Sequence, residues 1–480
     1  MKNFFQKPYF FILFCIILIN LLSFLGFLEP TINKILFFIL IILISFIAFY
    51  RLEYALWFLF VDLFVGSKGH LFSLEVFGFE LSIRMILFMT VMLVWIIGVK
   101  NKKYQVSFIR SSFFIYYYIF FIFILLGLVL GLLNNNHVSF VFFDFNAWLY
   151  LLLIFPFFDI LKDAPSQKKI FIILFAALTW LATKTFLVFF IFSHQIKVIM
   201  PDIYYWIRLK GLGEITILEP IYRIFLQSQI YSLIGFFIML SLLIFLKEKK
   251  RYFIFLAIPI IPIILSFSRS FWLSFILTFF IFLVFIKLKE SFSWLKIIKI
   301  FSLVFFIFVL CLSSLWLSLK IMPQPIIDLS DLFNKRFGAD EPAAASRIIQ
   351  LPYLLPAILK NPTIGSGFGT TVSYFSKDPR VFERHLLGLY TTYAFEWGYL
   401  DLWLKIGMTG LFAFLVLIWK NFKMGLKKIK TDEKPLIFGL IFGLIALVIT
   451  HFVSPYLNHP LGIGYLILCS LIFSNAKQKI

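Results

Sequence analysis

The chain has 480 residues, 62% of them hydrophobic and 14% charged, with a mean hydropathy of +1.00 and a formal net charge of +21. No soluble domain buries that much apolar surface, so a two- or three-domain soluble protein is excluded and a bundle with lipid as its solvent is indicated. The excess charge is scattered over short loops and no basic soluble domain carries it, so nucleic acid is not an expected partner.

Apolar runs fall at 9–28, 35–50, 52–66, 81–99, 113–133, 140–161, 170–192, 216–246, 252–267, 271–286, 300–320, 393–419, 436–454 and 461–474. Roughly 20 such residues cross a bilayer core of about 30 Å. The predicted fold class is an all-α integral membrane protein, a polytopic bundle of about 12–14 transmembrane helices with one large extracytoplasmic loop. Its regions are 1–320, a transmembrane bundle, 321–392, the loop, and 393–480, the C-terminal helices of the same bundle. The first run follows Lys2 and Lys7 but is long and lacks a small-residue cleavage site, so it reads as a retained helix. Cys15, Cys311 and Cys469 lie inside apolar runs without metal-ligand spacing, so neither a disulfide framework nor a metal or cofactor is expected.

Sidedness follows from the basic residues. With the N-terminus in the cytoplasm, the inner segments become 100–112, 162–169, 247–251, 287–299, 420–434 and the C-terminal tail, each rich in Lys and Arg. Together with Lys2, Lys7 and Arg51 they hold 26 of the 44 basic residues, while the outer connections 133–137 and 454–460 hold none. Lys and Arg concentrate on the cytoplasmic side of membrane proteins, and every step of the alternation obeys that rule. Both termini are therefore expected inside, and the 321–392 loop outside.

That loop carries Lys335, Arg336, Arg347, Lys360, Lys377, Arg380 and Arg384, cations on the side where they are normally sparse. Ser346 reads as an N-cap of an amphipathic stretch, Arg347 to Lys360, suited to the headgroup level. Pro352 and Pro356 predict short interfacial helices instead of one continuous helix. Gly365, Gly367 and Gly369 have no strand–helix context for a dinucleotide motif and predict a sharp turn with close backbone approach. Gly407-Met408-Thr409-Gly410 is expected to serve helix packing.

Arg84, Lys184, Arg223, Arg269, Glu396, Asp401 and Lys405 are ionisable residues within spans or at their outer ends, where an unpartnered charge is costly. Arg223 is placed in the outer third of its helix, Arg269 in the outer turn between two spans, and Arg347 at the start of the amphipathic stretch. Guanidinium groups at that depth suit the phosphates of a lipid diphosphate. Each by itself is also open to snorkelling or to pairing with an acid such as Glu214 or Glu219. Glu396 is the leading general base, able to take the proton of an attacking sugar hydroxyl; an ion-pair role with an Arg or Lys competes with that reading. His385, His451 and His459 also lie on the outer side and read as surface or interfacial histidines.

In order and spacing, Ser268-Arg269-Ser270-Phe271-Trp272, Arg347 followed by Pro362-Thr363-Ile364-Gly365-Ser366-Gly367, Glu396-Trp397-Gly398-Tyr399-Leu400 with Gly407-Met408-Thr409-Gly410, and Pro455-Tyr456-Leu457-Asn458-His459-Pro460 resemble the O-antigen ligase and polymerase family of bacterial envelope enzymes. The resemblance covers about residues 220–465, with a vaguer likeness at Ser82-Ile83-Arg84 and Asp144-Phe145-Asn146. It implies a metal-independent, inverting membrane glycosyltransferase of the GT-C type in the cytoplasmic membrane, working on its outer face. The donor would be a polyprenyl-diphosphate-linked glycan and the acceptor a glycan or lipid-linked glycan. Arg223, Arg269 and Arg347 would hold the diphosphate, and Glu396 would be the catalytic residue. Family ligases that complete lipopolysaccharide typically carry His-Asn where this chain has Glu396-Trp397, and an acid where it has Lys405. Polymerisation of repeat units and ligation to another acceptor are therefore both open. A rival reading is a transporter or flippase of lipid-linked saccharides, favoured by Lys184 and Lys405 but without the internal symmetry such a protein shows.

Overall fold

A helix with no water around it must satisfy its backbone internally, and this chain does so with helices of bilayer length. The computed structural model describes residues 6–76, 79–218, 221–246, 249–320, 342–376, 388–429 and 433–474. Its first half contains α1 (Lys7–Leu28), α2 (Pro30–Tyr50), α3 (Leu52–Val65), α4 (Ile83–Lys100), α5 (Phe114–Leu133), α6 (Val138–Phe145), α7 (Ile154–Ile160), α8 (Ala164–Ser193) and α9 (Met200–Leu209). The second half contains α10 (Ile230–Phe245), α11 (Lys249–Leu265), α12 (Arg269–Lys289), α13 (Trp294–Leu319), α14 (Pro342–Lys360), α15 (Gly398–Lys428), α16 (Lys434–His451) and α17 (Pro460–Ser474). Among the described residues, eleven helical stretches are long and apolar enough to cross a membrane, with 138–160 counted as one.

The centre of the bundle is α10, buried along almost its whole length against α8, α11 and α16. Small residues let these helices approach. A methyl on Gly235 would come within 2.3 Å of Leu178, and one on Gly439 within 2.5 Å of the Ile238 backbone. Close approach gives the dispersion contacts that hold helices together where lipid removes the hydrophobic drive. Side chains such as Phe10, Phe46, Ile42, Phe280 and Phe305 stay exposed on the outer helices, the arrangement expected of surfaces that face acyl chains.

Three antiparallel hairpins sit between the helices: β1 (Ser73–Val76) with β2 (Phe79–Ser82), β3 (Gly213–Leu218) with β4 (Ile221–Leu226), and β5 (Val372–Phe375) with β6 (Leu389–Thr392). The second corrects the helix expected at 216–246, whose helical part begins only at Ile230. The β-branched residues Ile215, Thr216, Ile217, Ile221 and Ile224 favour strands, and a hydropathy window does not distinguish them from helical apolar residues. Arg223 therefore lies on a strand, not on a helix.

The loop differs too. One helix, α14, runs from Pro342 through both Pro352 and Pro356, and Ser346 lies inside it instead of capping it. The two prolines are four residues apart, so the intrahelical bonds they forfeit lie on one face. Tertiary anchors hold the helix: Leu354 and Ile358 pack with Val372, Phe395 and Leu404, and Gln350 Nε2 donates to Tyr374 Oη at 2.9 Å. Lys335, Arg336, Lys377, Arg380, Arg384, His385 and Glu219 lie outside the described residues.

The glycine cluster serves a break in α15. Gly407 has φ 71° and ψ 176°, which ends helical hydrogen bonding there, so its segment is a hinge of backbone and not the packing motif expected. The freed groups are satisfied by the 361–369 loop: Ser366 N donates to Leu404 O at 2.7 Å and Gly367 N to Lys405 O at 3.0 Å, while Met408 N donates to Pro362 O at 2.9 Å. Irregular backbone at membrane depth survives where protein satisfies it in this way. Gly365 and Gly367 have φ of +82° and +87°, and a methyl at either would meet backbone atoms at 2.5 Å or less. The expected close backbone approach is present.

Candidate active site

Sequence-distant turns meet at one end of the bundle. Ser67 and Ser228 hydroxyls lie 3.0 Å apart, Tyr456 Oη donates to Gln227 O at 3.2 Å, and Asn134 Nδ2 donates to Ser366 O at 2.9 Å. Ser454 Oγ donates to Ser270 Oγ at 3.1 Å, and Asn458 Nδ2 to Asp401 Oδ2 at 2.6 Å. The segments that carry Arg223, Arg269 and Glu396 lead into this end.

Arg347 and Glu396, 49 residues apart in sequence, form a direct ion pair. The neighbouring Trp397 reinforces it, its Nε1 donating to the Arg347 carbonyl at 2.9 Å. Phe395 is buried in the small core beneath α14, which turns Glu396 the other way and leaves its side chain 45% exposed, against 25% for Arg347. The carboxylate is thus fixed in place and still accessible. An ion-pair role and a chemical role are both compatible with this geometry.

Arg223 is tied to the segment that leads into Arg269. Arg223 Nε donates to Ser266 O at 2.8 Å, three residues before Arg269, and its guanidinium lies over Phe225, 4.8 Å from the ring centre. Glu214 on the partner strand stands 4.0 Å away, so the pairing considered from sequence is part of its environment. Arg269 is the first residue of α12, where unpaired backbone N–H groups and the helix dipole favour an anion. The preceding Phe267 has φ 42°, an unfavourable left-handed conformation for a bulky residue. Phe271 and Tyr456 rings, 5.8 Å apart, carry this half of the site towards the 454–458 turn. Burial pushes the Tyr456 phenol well above its usual pKa, against the opposing pull of Arg223.

A third group was not legible as a unit. Lys405 Nζ lies 2.5 Å from Asp144 Oδ1 and 2.6 Å from Asp401 Oδ1, all three nearly buried. Asp144 Oδ2 also accepts from Gly369 N at 2.9 Å. This triad ties α6, the glycine loop, α15 and the 458 turn together, with Asp401 five residues after Glu396 in the chain. Arg84 is likewise spoken for: Nε bonds Asp62 Oδ2 at 2.6 Å and Nη1 bonds Ser67 O at 2.7 Å. His451 is fully buried instead of interfacial, its Nδ1 accepting from Leu457 N at 3.2 Å. Lys184 is buried in α8, with Asn20 Oδ1 at 3.1 Å and the Trp206 ring at 4.3 Å.

Residues 253–415 match the family model Wzy_C, described as O-antigen ligase. The matched stretch contains Arg269, Arg347, Glu396 and Lys405 together with the glycine loop, while Arg223 precedes it. No curated protein and no solved structure matches the chain. Within this multi-pass bundle, the stretch from α11 to the middle of α15 is thus similar to the O-antigen ligase family.

Proposed function

We propose that the protein is a glycosyltransferase that transfers or polymerises a polyprenyl-diphosphate-linked oligosaccharide at the outer face of the cytoplasmic membrane. The observation that carries this reading is the accessible Glu396–Arg347 pair within the matched domain, at the same end of the bundle as Arg223 and Arg269. An acceptor hydroxyl attacks the anomeric carbon of the donor while the bond from that carbon to the diphosphate oxygen breaks on the opposite face. The polyprenyl diphosphate departs with the bonding electrons, and the hydroxyl proton passes to the Glu396 carboxylate. Configuration at the carbon inverts. Arginine charge meets the growing charge of the leaving group, a role that needs donors already fixed in place.

Arg347 has two partners in this scheme. It rests on Glu396, and an incoming diphosphate competes for the guanidinium, releasing the carboxylate to act as base when donor is bound. The positive-inside pattern supports the outward orientation of the site. Of the two buried lysines behind the transporter reading, Lys405 is neutralised by Asp144 and Asp401, which weakens that reading.

The test uses purified protein in detergent with a polyprenyl-diphosphate oligosaccharide. Release of polyprenyl diphosphate with a longer or transferred glycan, read by mass analysis, is expected. Movement of intact donor across vesicle membranes without cleavage would replace this reading with the transporter.

A further inference from the structure

At the same bundle end, but built from different segments, lies a second polar cluster that the chemistry above leaves unused. It comprises Lys68 and His70 on the turn after α3, Glu80 on β2, Lys210 after α9, and Asn458 and His459 on the turn before α17. The turn is strained and fixed. Ser67 is buried with φ 52°, and its N–H donates to Ser228 Oγ at 2.9 Å. Gly69 has φ +90°, and a methyl there would strike the Arg84 side chain at 2.6 Å. The Lys68 stem lies across Gly211, where a methyl would approach its Cβ and Cδ to 3.1 Å. An exposed lysine is rarely tethered so closely, and strain held in a buried turn is a recurrent mark of binding sites.

The groups face one another. Burial first, then the charges of Arg84 and Lys68, push the His459 imidazole down to about 3. Burial likewise lowers His70, against the pull of Glu80. Glu80 Oε1 stands 3.3 Å from His70 Nδ1 and also acts on Lys210, whose Nζ reaches Ser73 Oγ at 3.1 Å. His459 is therefore neutral at physiological pH. Leu461 N approaches His459 Nδ1 at 3.4 Å, which leaves Nε2 as the protonated nitrogen, free to donate. One buried polar atom here, Asn458 Oδ1, has no hydrogen-bond partner among the described residues.

The mix of groups decides the ligand class. Glu80 acts on Lys210, and Arg84 is paired with Asp62. A diphosphate belongs with the arginines; ammonium, imidazole, amide and carboxylate groups side by side match the mixed donors and acceptors of sugar hydroxyls. Asn458 borders both sites, since its Nδ2 grips Asp401, five residues beyond Glu396. We propose that Lys68, His70, Glu80, Lys210, Asn458 and His459 form a carbohydrate-binding subsite that holds the acceptor glycan beside the base. The assignment of the bound sugar as acceptor rests on the glycosyltransferase reading; the binding itself does not.

Saturation-transfer NMR on the full chain in detergent tests it directly, with the oligosaccharide freed from its lipid diphosphate by mild acid as the probe. Wild type and Arg269→Ala should bind it alike, Lys68→Ala/His70→Ala should bind at least tenfold more weakly, and Lys68→Arg should recover most of the loss. Inorganic pyrophosphate should not displace it. Equal binding by the double variant, or displacement by pyrophosphate, overturns the proposal. In turnover assays the double variant should raise the acceptor KM at least tenfold with the donor KM unchanged. Binding that follows these expectations in a protein that releases no polyprenyl diphosphate would leave the sugar site standing and remove the enzyme reading alone.

Discussion

Glu396 and Arg347 show what a single residue position can and cannot announce. Each was legible as a candidate because a carboxylate or guanidinium beside lipid is costly and so has a partner. Their pairing was not legible, since it depends on α14 continuing through two prolines and laying Arg347 against the start of α15. The partners of Lys405 were not legible for a related reason. Its first partner, Asp144, lies 261 residues away, and no periodicity connects them. Removing one member of a buried ion group costs about 3–5 kcal/mol, because it strands the remaining charge. Lys405→Met, which leaves two buried carboxylates unpaired, should therefore lower thermal stability in detergent by about that much. Asp144→Asn and Asp401→Asn added to it should restore part of the loss. A Lys405→Met protein as stable as wild type would show that the triad does not hold the bundle end.

At the scale of elements, helices of bilayer length were legible from hydropathy, and most boundaries shifted by only a few residues. The failures are physical. A hydropathy window cannot separate an apolar strand from the helix that follows it, which is how β3 and β4 were absorbed into the span ending at α10. The glycine cluster was legible as a close backbone approach, but its target, the break at Gly407, required the fold. That target makes a firm prediction. A methyl at Gly367 would lie 2.1 Å from Gly131 N and on backbone of φ +87°, so neither rotation nor a side-chain shift relieves it. Gly367→Ala should destabilise by more than about 2 kcal/mol, seen as a lowered unfolding temperature and lost expression. An unchanged unfolding temperature would mean that the loop is not seated in the helix break.

For the whole molecule, alternation of charge along the chain predicts the sidedness on which the functional reading depends. A cysteine-free background (Cys15, Cys311 and Cys469 replaced) allows it to be read with a membrane-impermeant thiol reagent on spheroplasts. Asn135→Cys should be labelled from outside, and Lys102→Cys only after the membrane is opened. The reverse pattern would turn the arginines towards the cytoplasm and remove an outer-face donor from the account. The most direct measurement is polyprenyl diphosphate release by the purified protein, compared between wild type and Glu396→Gln. Positioned general bases contribute about 10²–10⁴-fold, so turnover should fall at least a hundredfold in a variant whose unfolding temperature is unchanged. A Glu396→Gln protein that turns over like wild type would contradict the assignment of Glu396 as the base.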